Sequence, residues 1–240
     1  MKAIILCAGY ATRMFPITEN FPKALLELGG KPIIDYIVDE IRTLPIENID
    51  IYVVTNERYY PHFLEWSKKR NNITVINDGT TTNDNRLGAI GDIRFTISKA
   101  AINEDVLIMA GDNFLRYPLR EQYESFLEKG DTVAAMRISD KEAIKAFAVA
   151  QTDSEGYITD LTEKPEEPKS DLAVFASYFY KKETLPLFEE YWNNGEAKDA
   201  PGYFLQWLHK RRPVYAYAIN GECFDIGTIP IYEAMRAKMG

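Results

Sequence analysis

The residues best suited to chemistry stand in one loop near the amino terminus. After the apolar run Ala3-Ile4-Ile5-Leu6 come Cys7-Ala8-Gly9-Tyr10-Ala11-Thr12-Arg13-Met14-Phe15-Pro16, and then Pro22-Lys23-Ala24-Leu25-Leu26. Ala8, Gly9 and Ala11 are small enough to let backbone N–H groups approach a ligand closely, and Arg13 and Lys23 add positive charge, a combination suited to phosphate. The loop has neither the GxxxxGK(S/T) of a Walker A motif nor the GxGxxG of dinucleotide folds. The same composition equally describes a tight strand-to-loop turn with two surface cations, and local composition does not separate the two readings.

Further candidates are spread along the chain. Asp112 follows the apolar run Val106–Met109 and, taken alone, reads as an aspartate capping the end of a strand. Its neighbours make Asp112-Asn113-Phe114, not the Asp-x-Asp typical of glycosyltransferases. In Glu163-Lys164-Pro165 a carboxylate able to accept two hydroxyl hydrogen bonds stands beside an ammonium able to meet a phosphate. The run Glu166-Glu167-Pro168-Lys169 that follows would also fit a solvated charged turn. The two histidines, His62 and His209, fall on helix-like segments, are expected to be exposed, and are assigned no role.

The elements that must position these residues follow from hydrophobic spacing. Ala3–Leu6 reads as a buried strand, and Ile33–Leu44 as an amphipathic helix with Ile33, Ile34, Ile37, Val38, Ile41 and Leu44 on one face. The alternation continues with strands at 49–55, 73–76 and 106–109 and helices near 59–70, 87–100 and 119–129, the order of a mostly parallel α/β sheet. From Thr132 the pattern changes to strands at 132–138, 147–151, 157–161 and 173–180, with Asp153-Ser154-Glu155-Gly156 as a hairpin turn, which predicts an antiparallel or mixed extension. Helices at 182–193 and 203–210, a strand at 214–219 and a closing helix at 229–239 complete the chain. In open parallel sheets ligands bind beyond the carboxyl ends of the strands, so the loops after Leu6, Thr55, Ile76 and Ala110 are expected on one rim.

Composition narrows the class. With 240 residues, 46% of them hydrophobic, the chain can build one large core and is expected to be one elaborated domain. A net charge of -8 argues against nucleic acid as a partner, because a phosphate-backbone footprint needs clustered positive charge. Cys7 and Cys223 are the only cysteines, far apart, and point to a reducing, cytoplasmic setting with neither a disulfide framework nor a zinc site. The opening apolar run is too short for a signal-peptide core, and no stretch approaches the ~20 apolar residues of a membrane helix, so no membrane association is expected. Oligomeric state is not readable from the sequence.

The run from Leu6 to Pro32, with Ala8-Gly9, Thr12-Arg13, Pro16, Thr18, Pro22-Lys23, Leu25-Leu26 and Gly30-Lys31-Pro32, resembles the signature of the sugar-phosphate nucleotidyltransferases, such as the glucose-1-phosphate thymidylyltransferases. Gly111-Asp112-Asn113, Glu163-Lys164-Pro165 and Phe224-Asp225-Ile226-Gly227-Thr228 stand in the family's order, so the resemblance covers nearly the whole chain. It implies a Rossmann-like three-layer α/β fold with a mostly parallel central sheet and a small antiparallel or mixed sugar-binding extension. The whole of 1–240 would be a single catalytic domain, with 1–130 mainly nucleotide-binding and 131–240 mainly sugar-binding and supplying a second metal ligand. The length would hold that catalytic core without the carboxy-terminal β-helix or acyltransferase domain of longer relatives.

The activity the resemblance implies is transfer of a nucleoside monophosphate from an NTP to a sugar 1-phosphate, releasing pyrophosphate, with Mg2+. Such chemistry needs positioning and charge neutralisation and no histidine base, because a phosphate monoester oxygen is already anionic. By the same resemblance Arg13 binds the leaving pyrophosphate, and Lys23 neutralises the α-phosphate and the sugar phosphate. Leu6, Ala8, Gly9, Gly88 and Asp112 join Arg13 in holding the nucleotide, Glu163 and Lys164 join Lys23 on the sugar phosphate, and Asp112 and Asp225 ligate the metal.

The chain departs from the family at Tyr10-Ala11, where glycines are common, at Ala24, where many relatives have a second proline, and at Ala176, where a glycine is usual. In the base-reading segment 77–90 the glutamine common in thymidylyl- and uridylyltransferases has no counterpart. Asn77, Asn83 and Asn85 are the candidate substitutes, and thymine, uracil and cytosine stay open, with dTTP or UTP favoured. The alternatives are a CTP-dependent enzyme acting on phosphocholine or an inositol phosphate, and a catalytically silent sensor that has kept Arg13, Lys23, Asp112 and Asp225.

Overall fold

The computed structural model describes residues 1–239, apart from the side chains of Leu115, Glu222 and Asp225. In chain order its elements are β1 (Lys2–Leu6), β2 (Glu27–Leu28), β3 (Lys31–Pro32), α1 (Ile33–Arg42), β4 (Asp50–Thr55), α2 (Tyr60–Ser67), β5 (Ile73–Asn77), α3 (Gly88–Lys99), β6 (Val106–Ala110), β7 (Asn113–Arg116) and α4 (Leu119–Lys129). The second half adds β8 (Thr132–Arg137), β9 (Ala148–Thr152), β10 (Ile158–Glu163), β11 (Leu172–Tyr180), α5 (Leu185–Asn193), α6 (Pro201–Leu208), β12 (Tyr215–Ala218), β13 (Glu222–Asp225) and α7 (Ile229–Met239). Short 3-10 turns at Thr12–Met14 and Lys23–Leu25 carry the two expected phosphate cations.

β1 is central and pairs in parallel with β4 on one side and β6 on the other, with β5 beyond β4. Its residues alternate between two cores. Ala3 and Ile5 face α1, α2 and α4, where Ile37, Phe63 and Phe126 are buried, while Ile4 faces α3, α5 and α6, where Ile93, Phe188 and Phe204 are buried. Three layers follow, because a parallel strand apolar on both sides needs helices on both faces. Each fully buried aliphatic side chain contributes at most about 1.5–3 kcal/mol, and α1 alone buries Ile33, Ile34, Ile37, Val38 and Ile41. That helix has Asp35 in its first turn, where a negative charge favours the macrodipole, and Asp35 also accepts from Trp66 Nε1 at 2.8 Å and Arg70 Nε at 3.0 Å. It ends at Thr43, just ahead of Pro45.

The extension expected after Thr132 is continuous with the parallel sheet, nine strands joining in one sheet among the described residues. β11 runs antiparallel to β6 over Ser177–Tyr180 and to β9 over Leu172–Val174, while β8 pairs along its other edge. Between those two stretches, at Phe175 and Ala176, the edge is free of a strand partner, and there a cavity opens. β10 completes the predicted hairpin with β9, the N–H of Asp153 bonding to Tyr157 O at 2.9 Å.

Two small two-stranded sheets, β2–β3 and β7–β13, lie outside the main sheet. They share a third core with α7, in which Met14, Leu28, Ile33, Phe114, Ile226 and Tyr232 are buried. Cys7 and Cys223 are both buried and form no disulfide. No helix among the described residues is long and apolar enough to cross a membrane.

Candidate active site

The rim loops are stitched to one another by backbone groups. Cys7 N–H donates to Val54 O at 2.8 Å and Gly111 N–H to Leu6 O at 2.9 Å, while the buried Asn56 side chain donates to Ala8 O at 2.9 Å. The loops after β1, β4 and β6 are thereby fixed together, and Asp78 N–H adds the loop after β5 by bonding to Thr55 O at 2.9 Å. Gly9 is exposed with open space beside its α-carbon.

Ala11 follows in a left-handed conformation, φ 47°. That explains why relatives favour glycine here, since an L-residue is strained in this region. The turn is held because Ala11 O accepts from Met14 N at 2.9 Å and from the Thr18 hydroxyl at 2.8 Å. Tyr59, wholly buried, donates to Thr18 O at 2.6 Å and lies 3.1 Å from Tyr10 O. Sequence reading missed Tyr59, which looks like any core aromatic. The loop so held leaves the Arg13 side chain exposed, with no hydrogen bond or ion pair among the described residues.

Lys23 enters from the second 3-10 turn, its Nζ 2.5 Å from Asp112 Oδ2 at the carboxyl end of β6. Together with Leu6, Gly9, Ala11 and Gly111 they line a cavity open to solvent. Asp225 is carried to the same place by pairing of β13 with β7, which sets its backbone opposite Asn113, the residue after Asp112. Its side chain lies outside the described residues. The long return of the chain is anchored by Phe114, 2% exposed, whose ring is edge-on to Tyr36 at 4.8 Å and 6.5 Å from that of Phe224.

Asp112 also lines a second, wider cavity open to solvent with Phe147, Glu163, Lys164, Phe175 and Tyr178, at the opening between β9 and β6. Glu163 is 5% exposed at the end of β10, and burial pushes its carboxyl up while the Lys164 ammonium, 3.7 Å away, pulls it down. Its own N–H donates to Gln206 Oε1 at 2.9 Å. Lys164 adopts φ 46°, held by its N–H to Phe147 O at 3.1 Å, so the turn points the two charges into one space. The Glu163 carboxylate rests against the α-carbon of Gly202, where a methyl group would overlap it. Gly202, Gln206, Tyr178 and Asp199 were missed in the sequence because only folding brings β11, α6 and the loop before α6 to Glu163. Ala176, at the usual glycine position, lines this cavity too.

In the segment from Asn77 to Ile90, two of the three candidate amides serve the loop itself. Asn77 bonds to Glu57 at 2.5 Å and accepts from Gly79 N–H, and Asn85 accepts from the N–H groups of Thr81 and Thr82. The exposed Asn83 side chain has no hydrogen bond among the described residues. Gly88 does begin α3, but it is buried with φ 76°, and a methyl there would come 2.6 Å from Lys198 O, to which Ile90 N–H donates at 3.1 Å. The glycine is therefore required for packing against the loop before α6. The expected exposure of the two histidines is corrected: His62 is half-buried, its ring edge-on to Phe21 at 5.2 Å, and His209 is half-buried at the end of α6, where its Nε2 lies buried without a partner and burial lowers its pKa.

The mostly parallel α/β sheet, with the small-residue loop at the carboxyl ends of its strands, is a fold of the Rossmann-like class. The chain belongs to the nucleotidyl transferase family, which it matches over residues 2–239. It is 28% identical over 227 residues to the bifunctional protein GlmU of Methanocaldococcus jannaschii, covering 95% of this chain and 51% of GlmU. It is 27% identical to the UTP–glucose-1-phosphate uridylyltransferase AglF of Haloferax volcanii, covering 95% of this chain and 91% of AglF. The chain spans about half the length of the first curated relatives it matches. In fold it is similar to a UTP-bound UGPase from Acinetobacter baumannii, with a TM-score of 0.79, 19% identity, and coverage of 100% of this chain and 93% of that one.

Proposed function

We propose that this protein transfers a nucleoside monophosphate from an NTP, dTTP or UTP by preference, to a sugar 1-phosphate and releases pyrophosphate. The observation that carries this reading is the position of Asp112, a common wall between a cavity bordered by the Gly9 loop and Lys23 and one bordered by Glu163 and Lys164. Two phosphorylated substrates bound in them would meet at that wall. The names of relatives such as AglF support the same substrate pair.

In the reaction an oxygen of the sugar phosphate attacks the α-phosphorus of the NTP. A P–O bond forms there as the bond to the bridging oxygen breaks, and its electron pair leaves on pyrophosphate. The attacking oxygen is already anionic, so the protein supplies alignment and positive charge. Lys23 neutralises the α-phosphate and the incoming phosphate as a point charge, and the exposed Arg13 offers a fork of donors to the pyrophosphate. Glu163 accepts hydrogen bonds from sugar hydroxyls and Lys164 meets the sugar phosphate. Asn83 reads the base through its amide, because Asn77 and Asn85 are committed to the loop.

Asp112, with a 37% exposed side chain, and Asp225, whose backbone is beside Asn113, would hold Mg2+. An all-oxygen set of two carboxylates fits a hard cation that completes its shell with phosphate and water. When bound, the ion would supply charge stabilisation for the leaving phosphates.

The test is pyrophosphate release from a panel of dTTP, UTP, CTP, ATP and GTP crossed with several sugar 1-phosphates, phosphocholine and inositol phosphate, with Mg2+. Release with dTTP or UTP and a sugar 1-phosphate is expected, and Asn83→Ala should raise the nucleotide KM without altering the acceptor's. Turnover only with CTP and an alcohol phosphate, or binding without turnover throughout, would overturn the reading.

A further inference from the structure

A carboxyl pair, Asp92 buried and Asp78 half-buried, lies where the glycine loop meets the base-facing segment. Asp78 follows β5, and Asp92 stands in the second turn of α3, 6% exposed. The Asp92 carboxyl lies within hydrogen-bond reach of that of Asp78, and its Oδ1 has no hydrogen-bond partner. Asp78 accepts from Thr80 twice, from the N–H at 2.7 Å and from the hydroxyl at 2.8 Å. Tyr10 reaches the same point from the glycine loop, 3% exposed, its hydroxyl buried without a partner beside Thr80 and Asp78. Thr80 O in turn accepts from Glu57 N–H at 3.0 Å, so the loop after β4 is joined as well.

Two carboxylates in contact, one of them buried, resist both carrying charge, and such a pair keeps one proton between them. Asp92 is the more buried of the two, and desolvation together with the charge of Asp78 raises it to about 8, while Asp78 is raised by its own burial. The surrounding titratable groups are Tyr10, with Arg58 over its ring at 5.4 Å, Glu57 near Asp78, and the buried thiol of Cys7 near Asp92. Among the described residues neither carboxyl has an ion-pair partner; the Thr80 hydrogen bonds favour the charge on Asp78, and the proton is left to Asp92, whose Oδ1 has no partner.

We propose that Asp92 is a positioning residue for the nucleotide: kept neutral, it donates to Asp78 and holds Asp78 and Thr80 in the place against which the buried Tyr10 ring of the glycine loop packs, fixing that loop against residues 77–90. The inference rests on reading the cleft as a nucleoside triphosphate site. Loss of the proton sets like charges against each other in the seam between loop and segment. Nucleotide affinity then falls while the acceptor cavity, bordered by β9, β10 and α6, is untouched.

Asp92→Asn keeps a neutral side chain of the same shape and serves as the test. Equilibrium binding of UTP with Mg2+, and the UTP and sugar 1-phosphate KM values, are measured from pH 7 to pH 9. If only the protonated pair is competent, wild-type UTP affinity drops about tenfold over this range, in proportion to the protonated fraction. The variant is expected to bind like wild type at pH 7 and to stay flat, with the acceptor KM following the same course in both proteins. The infrared band of a protonated carboxyl should be present in the wild type at neutral pH and absent from Asp92→Asn. An equal pH decline in both proteins, or no such band in the wild type, overturns the proposal. If no NTP binds at any pH, the nucleotide reading falls and the positioning role with it, while the band still reports on the pair by itself.

Discussion

Lys23 Nζ lies 2.5 Å from Asp112 Oδ2, so a cation from the glycine-loop side and an anion from the end of β6 meet on the wall that the two cavities share. Their side chains are 12% and 37% exposed. This contact joins residues 89 positions apart in the chain and, on the proposed function, sets the lysine beside the nucleotidyl group being transferred.

Lys23→Ala is accordingly expected to lower turnover about 100- to 1,000-fold, the usual cost of losing one preorganised charge at a transition state. Binding of the NTP should change far less, because Arg13 and the loop backbone remain. Pre-steady-state turnover and equilibrium nucleotide binding separate the two effects, and unchanged turnover would remove Lys23 from the mechanism.

Gly202→Ala tests the support of Glu163. A methyl group there overlaps the Glu163 carboxylate, which must swing away from the position it holds beside Lys164. The expected result is an acceptor KM raised on the order of tenfold with nucleotide KM unchanged. Equal changes in both KM values would show that Glu163 does not serve the acceptor alone.

Ala11→Gly should stabilise the protein. Ala11 sits at φ 47°, where a Cβ costs roughly 1–2 kcal/mol, and glycine recovers this less about 0.4–1 kcal/mol of added chain entropy in the unfolded state. A rise in Tm of a few degrees by calorimetry is the expected outcome, and a fall would show that the alanine methyl is packed rather than strained.

Stability should also depend on pH through Asp92. Its carboxyl is at about 8 in the folded protein against a reference of 3.8, so between these values the folded state holds a proton that the unfolded chain has released. The unfolded state binds fewer protons, and stability therefore falls as pH rises from about 4 to about 8, then levels off. Asp92→Asn removes this slope. Thermal unfolding of both proteins across that window should give diverging Tm curves; parallel curves would place the titration elsewhere.

Local spacing was enough to draw much of the scaffold. The helix expected near 119–129 is observed as Leu119–Lys129, because Leu119, Gln122 and Phe126 face inward at helical spacing and Gly130, at φ 89°, ends it. The expected strands fall within a residue or two of β1, β4, β6 and β11 for a similar reason: a fully apolar run must be buried on both faces. The β7–β13 sheet could not be read in this way. Each of its strands has four residues, and what makes them strands is pairing with a partner more than 100 residues distant.

By itself, then, the amino-acid sequence determined which residues carry charge near small-residue turns, Arg13, Lys23, Asp112, Glu163 and Lys164, and the alternation of strands and helices, since both depend on neighbours within a few positions. Only the tertiary structure decided that Asp112 borders two cavities, that Gly202 makes room for Glu163, that Asn83 keeps an uncommitted amide while Asn77 and Asn85 do not, and that Asp78 and Asp92 touch. These relationships arise where separate loops converge on one rim, and their distances are set by the packing of the sheet and its helices, which no spacing along the chain encodes.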